Sequence, residues 1–291
     1  MSRIGSLFAG IGGFELGFSR AGISTAWQVE IDPFCQKVLR ERYPKIAPSL
    51  LSDIRQVGKD NLEQVEIITG GFPCQDLSIA GSPSKEREGL SGSRSGLFYE
   101  AVRVVRELKP RCIVLENVVG LQSANKGEDF KQVIHTLTKI GYGVQWRILD
   151  SQFFGVPQRR RRVYIIGCLG QECPRQVLFD SPSGERASKE SQTSREDATA
   201  RVGCSPERRV ASTLIHPGKQ YLSVMCTDNL IVDNRGVRRL TPTECERLQG
   251  FPEGWTDEGS DGVRYKSLGN AVTVPVVEWV AKRLKKVLDL I

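Results

Sequence analysis

One cysteine of this chain stands in a setting that suits covalent chemistry. Cys74 lies in the sequence GGFPCQ (residues 70–75), directly after the apolar run of residues 65–69, whose length and β-branched content predict a buried strand. The two glycines permit a tight turn, and Pro73 fixes the backbone ahead of the thiol. The motif therefore presents Cys74 at a strand end, where open α/β sheets bind ligands. The alternative is a small buried hydrophobe, the fate of most cysteines.

Two carboxylates follow predicted strands in the same way. Glu30 comes directly after the strand of residues 25–29, and Glu116 follows the strand of residues 111–115. Because a carboxylate is costly to bury alone, Glu116 is expected to be either solvated or hydrogen-bonded. Asp53 is either an ordinary turn aspartate or a third strand-end carboxylate, placed near an adenine amino group.

A glycine-rich turn, AGIGG at residues 9–13, connects the first predicted strand to a helix. Glu30 stands twenty positions after Gly10, the distance at which α/β nucleotide sites hold ribose hydroxyls. The glycines run GxGG, and Glu15 occupies the place of a third glycine, so a nucleoside without phosphates fits better than a dinucleotide. A plain tight turn is the alternative interpretation.

Four consecutive arginines follow Gln158. On an extended segment Arg160 and Arg162 would share one face, and Arg159 and Arg161 would share the other. One pair could then serve a site while the other pair meets solvent or phosphate. A solvated run of charges is the alternative.

Length and composition set broad limits. A chain of 291 residues with 39% hydrophobic content can form one full α/β domain plus a smaller one. It has no apolar run of eighteen residues and no signal-peptide pattern, so a soluble, cytoplasmic protein is expected. Eight cysteines without a CxxC pair, and only two histidines, predict neither a disulfide framework nor zinc. The net charge of +7 suits a polyanionic partner without proving one.

The composition changes between residues 170 and 237. Residues 181–206 are rich in Ser, Glu, Arg and Thr, which predicts a loop-rich second domain. Outside it, Asp32 and Thr241 are predicted helix N-caps, and each is followed by proline at the first helical position.

Taken together and in order, these motifs resemble those of the cytosine-5 DNA methyltransferases. The matching stretches are residues 8–13, 71–75, 116–118, 158–162, 239–252 and 269–272. The resemblance implies an α/β fold with a Rossmann-like mixed sheet. It divides the chain into a catalytic and cofactor-binding domain (1–169), a small, loop-rich target-recognition domain (170–237) and a return segment that completes the catalytic domain (238–291).

The implied activity is transfer of a methyl group from S-adenosylmethionine to C5 of a flipped cytosine in a short duplex DNA sequence, without a metal. By this resemblance, the Cys74 thiolate would add to C6, and Glu116 would bind N3 and the exocyclic amine. Arg160 and Arg162 would steady the base and Cys74. The implied cofactor-binding residues are Phe8, Gly10, Gly12, Gly13, Glu30, Asp53, Ile54, Pro73, Leu97, Asn270 and Ala271. The implied DNA-binding residues are Gln75, Ser78, Arg159, Thr213 and Gly218.

The expected partner is double-stranded DNA, bound by a monomer, and the resemblance also allows functional pairing with a restriction endonuclease. A nicotinamide-dependent oxidoreductase would share the strand, glycine turn and distal acid, but it leaves Cys74 and Glu116 unexplained. Intact Cys74, Glu116 and Arg162 argue against a DNA-binding protein that has lost its activity. An RNA substrate remains an alternative, because a flipped cytosine presents the same base to the pocket whether it comes from RNA or DNA.

Overall fold

The computed structural model describes residues 2–73, 96–179, 230–233 and 236–289. A seven-stranded mixed sheet forms its centre, with the strand order β3-β2-β1-β4-β5-β7-β6. The strands are β1 (Arg3–Leu7), β2 (Ser24–Val29), β3 (Leu50–Leu51), β4 (Ile67–Gly70), β5 (Cys112–Val118), β6 (Tyr142–Asp150) and β7 (Arg161–Leu169). The first five are parallel, and β7 runs antiparallel to both β5 and β6. The predicted Rossmann-like mixed sheet is confirmed.

Helices cover both faces of this sheet. They are α1 (Gly13–Arg20), α2 (Pro33–Arg42), α3 (Leu97–Leu108), α4 (Glu128–Lys139), α5 (Pro242–Gln249), α6 (Asp261–Asn270) and α7 (Val274–Leu288). On one face α3 and α4 bury Phe98 in a cluster with Ile68, and on the other α1 and α7 bury Phe18 and Val277 with Ile67. Adjacent residues of β4 thus point to opposite faces, as the two-residue period of a strand requires.

Both predicted caps are present. The Asp32 carboxylate accepts hydrogen bonds from the backbone of Phe34 (3.0 Å) and Cys35 (3.2 Å) at the start of α2. Thr241 and Glu244 form a reciprocal capping box at the start of α5, which satisfies two donors that a helix end would otherwise leave unpaired.

The structure corrects one strand boundary. Glu116 was expected directly after a strand, but β5 continues to Val118, so Glu116 and Asn117 lie within it. The reason is the partner strand, because Glu116 pairs with Tyr164 and Val118 with Arg162 on β7, which extends the ladder past the apolar run. Helix α6 and a short hairpin of β8 (Leu230–Asp233) and β9 (Gly236–Arg239) also form, and neither was predicted.

The end of the chain packs against its beginning. Helix α7 lies on α1, where Gly17 is so close that an added Cβ would stand 2.5 Å from Val277 Cγ1. A third apolar cluster joins α2, α5 and α6 through residues such as Val38, Leu248 and Leu268. Within the described ranges, no helix combines the length and apolar character that crossing a bilayer requires.

The close approach at Gly17 predicts an unusual substitution effect. Replacing glycine by alanine in a helix interior normally stabilises the fold by about 1 kcal/mol, but overpacking a core destabilises it by about 1–3 kcal/mol. Gly17→Ala should therefore lower the free energy of unfolding by about 1 kcal/mol, measured by denaturant titration. The matched control is Gly262→Ala in α6, where the added Cβ would meet no atom within 4 Å and should be neutral or stabilising. Equal stabilisation by both substitutions would contradict the close packing of Gly17 in α1 against α7.

Candidate active site

The strand register brings the candidate residues to one edge of the sheet. Leu7 at the end of β1 lies beside Val29 and Gly70, and Gly70 lies beside Leu115. The turn after β1, the carboxylate after β2, the residues after β4 and Glu116 therefore adjoin one another at the carboxyl end of the parallel strands. This is the edge at which doubly wound sheets bind their ligands.

The turn after β1 has a backbone that side chains rarely adopt. Phe8 has φ +53°, and Gly10 and Gly12 have φ +56° and +87°. A left-handed conformation at a bulky residue such as Phe8 costs free energy and is commonest at functional sites. An added Cβ at Gly10 would meet no atom within 4 Å, whereas one at Gly12 would stand 2.7 Å from Tyr43. The turn is therefore packed on its Gly12 side and open beside Gly10.

Glu30 is fixed against this turn. Its Oε2 accepts a hydrogen bond from the Gly10 N–H (2.7 Å), and its Oε1 accepts one from the Asp32 N–H (2.8 Å). Burial raises the pKa of Glu30, because the charged form is desolvated and the two backbone bonds offset this only in part. Each carboxylate oxygen keeps a further acceptor position, so Glu30 can receive hydroxyl donors from a ligand.

Asp53 adjoins Glu30 through the backbone but is already engaged. The Glu30 N–H donates to Leu51 O of β3 (2.9 Å), two residues before Asp53. The Arg55 guanidinium holds the Asp53 carboxylate at 2.7–3.1 Å, and its hydrogen bonds lower the pKa of Asp53. The Ile54 side chain is buried in the core below α3. A ligand at this position would share Asp53 with Arg55.

The segment that leads to Cys74 is held against β5. Asn117 Nδ2 donates to Phe72 O at 3.3 Å, and the Phe72 ring packs on Phe98 with centroids 5.0 Å apart. A Cβ at Gly71 would stand 3.3 Å from Glu116 Oε2, so the Glu116 carboxylate faces the backbone three residues before Cys74. Cys74, Gln75 and Ser78 themselves lie outside the described residues, as do Thr213 and Gly218.

Glu116 is paired rather than solvated. Arg162 Nε lies 3.1 Å from Glu116 Oε1, and the two side chains are 16% and 10% exposed. Burial raises the pKa of Glu116, and the positive charges of Arg162 and Arg160 oppose that rise. The sequence left open whether Glu116 is solvated or hydrogen-bonded, and the structure shows it in a buried ion pair.

Arg160 is the most buried charged group of this edge. It is 2% exposed, and one of its terminal nitrogens donates to Gly269 O (3.0 Å) and Ala271 O (2.8 Å). Among the described residues its Nε and other terminal nitrogen have no acceptor. Desolvation, together with the nearby charge of Arg162, lowers the pKa of Arg160 to about 9. The Arg160 guanidinium therefore ties the residue before β7 to the 269–271 segment, and two of its nitrogens stay without an acceptor among the described residues.

The predicted alternation of the arginines is confirmed. Arg159 and Arg161 are exposed, whereas Arg160 and Arg162 turn toward Glu116. A uniformly solvated run of charges is therefore wrong for this segment.

A buried polar network, which the sequence did not predict, supports Arg160. Ser151 Oγ lies 2.8 Å from Thr273 Oγ1, and Thr273 donates to Gln249 Oε1 at 2.9 Å. Gln249 Nε2 donates to Leu268 O (2.9 Å), and Gln158 Nε2 donates to Leu248 O (3.1 Å). The position of Gln158 and Gln249 inside motifs was a usable signal, but Ser151 and Thr273 carry none.

The 269–272 segment contacts both sides of the edge, namely the turn after β1 and the arginine segment before β7. An added Cβ at Gly13 would stand 2.7 Å from Val272 Cγ2, and Lys266 Nζ of α6 pairs with Asp32 Oδ2 at 3.0 Å. Asn270 is exposed there, Ala271 is buried, and Leu97 is partly buried at the start of α3. Within the described parts of the chain, no group of three or more His, Cys, Asp and Glu could hold a metal ion.

One further carboxylate is buried beneath the glycine turn. Glu15, in the first turn of α1, is fully buried, and its Oε1 accepts a hydrogen bond from Gln28 Nε2 at 3.0 Å. Its Oε2 has no partner among the described residues. Desolvation raises the pKa of Glu15 to about 7.

The raised pKa of Glu15 predicts a pH-dependent stability. The folded protein holds this proton between the ordinary pKa of about 4.5 and the folded value of about 7. The associated stability is therefore complete below the lower value and lost as pH rises through the upper one. Glu15→Gln should remove this loss. The free energy of unfolding of the variant, relative to that of the wild type, should therefore increase by at most about 3 kcal/mol between pH 4.5 and pH 8. Urea unfolding of both proteins at both pH values measures it, and a pH-independent difference would contradict the assignment.

A family model described as C-5 cytosine-specific DNA methylase matches residues 2–216 and 175–286 of the chain. The Type II methyltransferase M2.BsuMI of Bacillus subtilis (strain 168) is 32% identical over 302 residues, covering 98% of this chain and 75% of the relative. The Type II methyltransferase M.DsaV of Dactylococcopsis salina is 28% identical over 310 residues, covering 98% of this chain and 86% of the relative.

Solved structures share the fold at lower identity. The S. pombe Dnmt2 methyltransferase superimposes with a TM-score of 0.71 and 19% identity, covering 99% of this chain and 100% of that one. The Entamoeba histolytica methyltransferase EhMeth gives a TM-score of 0.69 and 16% identity, with 99% of each chain covered. The sequence resemblance is thereby confirmed, and the chain belongs to the C-5 cytosine-specific DNA methylase family.

Proposed function

We propose that the chain transfers a methyl group from S-adenosylmethionine to C5 of a flipped cytosine in duplex DNA, through a covalent bond between Cys74 and C6. The observation that carries this proposal is the buried Glu116–Arg162 pair, whose carboxylate faces the backbone of Gly71, three residues before Cys74. Such a pair is costly to desolvate, and a site that binds a polar base uses both charges.

Glu116 would bind the Watson–Crick edge of the base. Cytosine N3 accepts a hydrogen bond and its exocyclic amine donates one, so a protonated carboxyl matches both groups. In the ion pair with Arg162 the Glu116 carboxylate is ionised, and its raised pKa favours uptake of a proton when the base binds. The protonated carboxyl would then stabilise the negative charge that develops on N3. Arg162, held at 3.1 Å, would keep the carboxyl oriented.

The arginines would also assist the thiol. A cysteine of ordinary pKa, about 8.5, is only a few per cent ionised at neutral pH, and a nearby cation favours the thiolate. Addition of the Cys74 sulfur to C6 would make C5 nucleophilic, so that C5 can take the methyl group. Loss of the C5 proton and cleavage of the S–C6 bond would then release the methylated base and the free thiol. The unpaired donors of Arg160 are available to the base or to the Cys74 segment.

The turn after β1 fits the nucleoside part of S-adenosylmethionine. Open space beside Gly10 and two hydrogen-bonded oxygens on Glu30 suit a ribose, and Glu15 and Glu30 disfavour a pyrophosphate. Ile31, directly after Glu30, is 64% exposed and offers an apolar surface to a purine. Bound S-adenosylmethionine would supply the methyl group and leave as S-adenosylhomocysteine.

Residues 170–237 would read the DNA sequence, and exposed Arg159 would contact a phosphate. The insert separates the arginine segment from α5, and its mixed polar side chains suit contacts to base edges. Since relatives are named as Type II methyltransferases, we also propose that the chain protects DNA alongside a restriction endonuclease.

Covalent catalysis predicts a trapped complex. DNA in which 5-fluorocytosine replaces cytosine throughout should form an adduct that survives a denaturing gel, because fluorine at C5 cannot leave as a proton does. Cys74→Ala should abolish the adduct, whereas Cys245→Ala, a buried cysteine of the α5 cluster, should preserve it. An adduct with Cys74→Ala would reject the nucleophile, and an adduct with fluorinated RNA alone would reject DNA as the substrate.

The role of Glu30 predicts a loss that is specific to ribose. Glu30→Ala should weaken S-adenosylhomocysteine binding by about 1.5–3 kcal/mol in calorimetry, the range for hydrogen bonds to a charged group. The wild type should bind the 2′,3′-dideoxy analogue as weakly as the variant binds S-adenosylhomocysteine. The variant should bind the two ligands with equal affinity. If the variant still favours the hydroxylated ligand as strongly as the wild type does, Glu30 does not bind ribose.

A further inference from the structure

Three thiols meet at the amino edge of the sheet, opposite the candidate active site. Cys112 begins β5 and pairs in register with Cys168 near the end of β7, and Cys173 follows five residues later. The Cys112 and Cys168 sulfurs are 3.8 Å apart, and those of Cys168 and Cys173 are 2.9 Å apart. The second separation exceeds a covalent S–S bond by only about 0.9 Å.

The three thiols differ in access to solvent. Cys168 is fully buried and Cys112 is 1% exposed, but Cys173 is 9% exposed. Gln145 Nε2 of β6 lies 3.1 Å from the Cys173 sulfur and donates to Pro174 O at 2.9 Å, which holds this segment in place. An oxidant that reaches the cluster therefore meets Cys173 first, with Cys168 already in contact behind it.

We propose that Cys168 and Cys173 form a dithiol that a hydroperoxide converts to a reversible disulfide. The Cys173 sulfur attacks the hydroperoxide, the O–O bond breaks, and sulfenic acid and an alcohol (water from hydrogen peroxide) form. The Cys168 sulfur then attacks the sulfenic sulfur, the S–O bond breaks, and water leaves as the S–S bond forms. Two electrons pass from the thiols to the peroxide, and both thiol protons end in the alcohol and water.

The bond would fasten the chain at the entrance to the insert. Gly170, with φ +73°, turns the chain after β7, and residues 171–179 then run beside β6. Arg147 of β6 donates to Leu178 O at 2.7 Å, so this segment is already tethered to the sheet at its far end. A disulfide at 168–173 adds a covalent tether at its near end, directly before residues 180–229. The redox state of the dithiol would thus set how firmly residues 171–179 are held to the sheet.

Tryptic peptides separate the outcomes. Cys168 and Cys173 share peptide 163–175, Cys112 lies in peptide 112–126, and Cys74 lies in peptide 60–85. The full-length protein is treated with hydrogen peroxide, alkylated with iodoacetamide and digested without reductant. Peptide 163–175 should then carry no alkyl group and be two hydrogens lighter than the free dithiol, and prior dithiothreitol treatment should restore two alkyl groups.

The same spectra contain the contradicting results. Peptide 163–175 with two alkyl groups after peroxide, with sulfinic or sulfonic oxygens, or cross-linked to any other cysteine peptide would overturn the assigned pair. Cys173→Ser should abolish the two-hydrogen loss, whereas the matched control Cys245→Ser should retain it. The wild-type measurement stands even if the first variant folds poorly.

Discussion

The site depends on holding one carboxylate and two guanidinium groups together out of water. Desolvation raises the pKa of Glu116 and, together with the charge of Arg162, lowers that of Arg160, so burial disfavours both charged forms. The Glu116–Arg162 pair at 3.1 Å and the Gly269 and Ala271 carbonyls on Arg160 offset that cost. Those carbonyls come from the end of the chain, while Glu116 and the arginines come from its middle. The charged cluster can therefore form only when the C-terminal segment has returned to the sheet.

The same return positions the turn after β1, which is the proposed cofactor side of the edge. Val272 packs against Gly13 beneath the glycine turn, and Lys266 pairs with Asp32, two residues after Glu30. Segment 269–272 thus touches the residues proposed to bind the methyl donor and those proposed to bind the base. A single change in this segment should affect both binding steps, which are otherwise carried by different strands. The buried Ser151, Thr273 and Gln249 network holds both ends of this segment, because Gln249 donates to Leu268 O before it and Thr273 follows it directly.

Much of this arrangement could be predicted from local patterns in the sequence. Strand ends, the Asp32 and Thr241 caps and the alternation of the arginines each depend on residues close in sequence, where period and turn chemistry act directly. The position of Glu116 inside β5 was not predictable, because its ladder partner Tyr164 lies 48 positions further along the chain. Ser151 and Thr273 meet across 122 positions, and no local pattern marks either residue. Glu15 was expected to disfavour a phosphate, which stays a prediction, and its complete burial was not predictable because it depends on packing between α1 and the sheet.

This edge of the sheet is proposed to methylate cytosine at C5 in DNA. Bisulfite sequencing tests it most directly, using genomic DNA from bacterial cells that lack cytosine methylation and express the chain. Cytosines should resist conversion at one fixed position of a short recurring sequence, and conversion should be complete in cells that express a folded Glu116→Ala variant. Full conversion in cells that contain the folded wild-type protein, or resistance that persists in the Glu116→Ala cells, would contradict it.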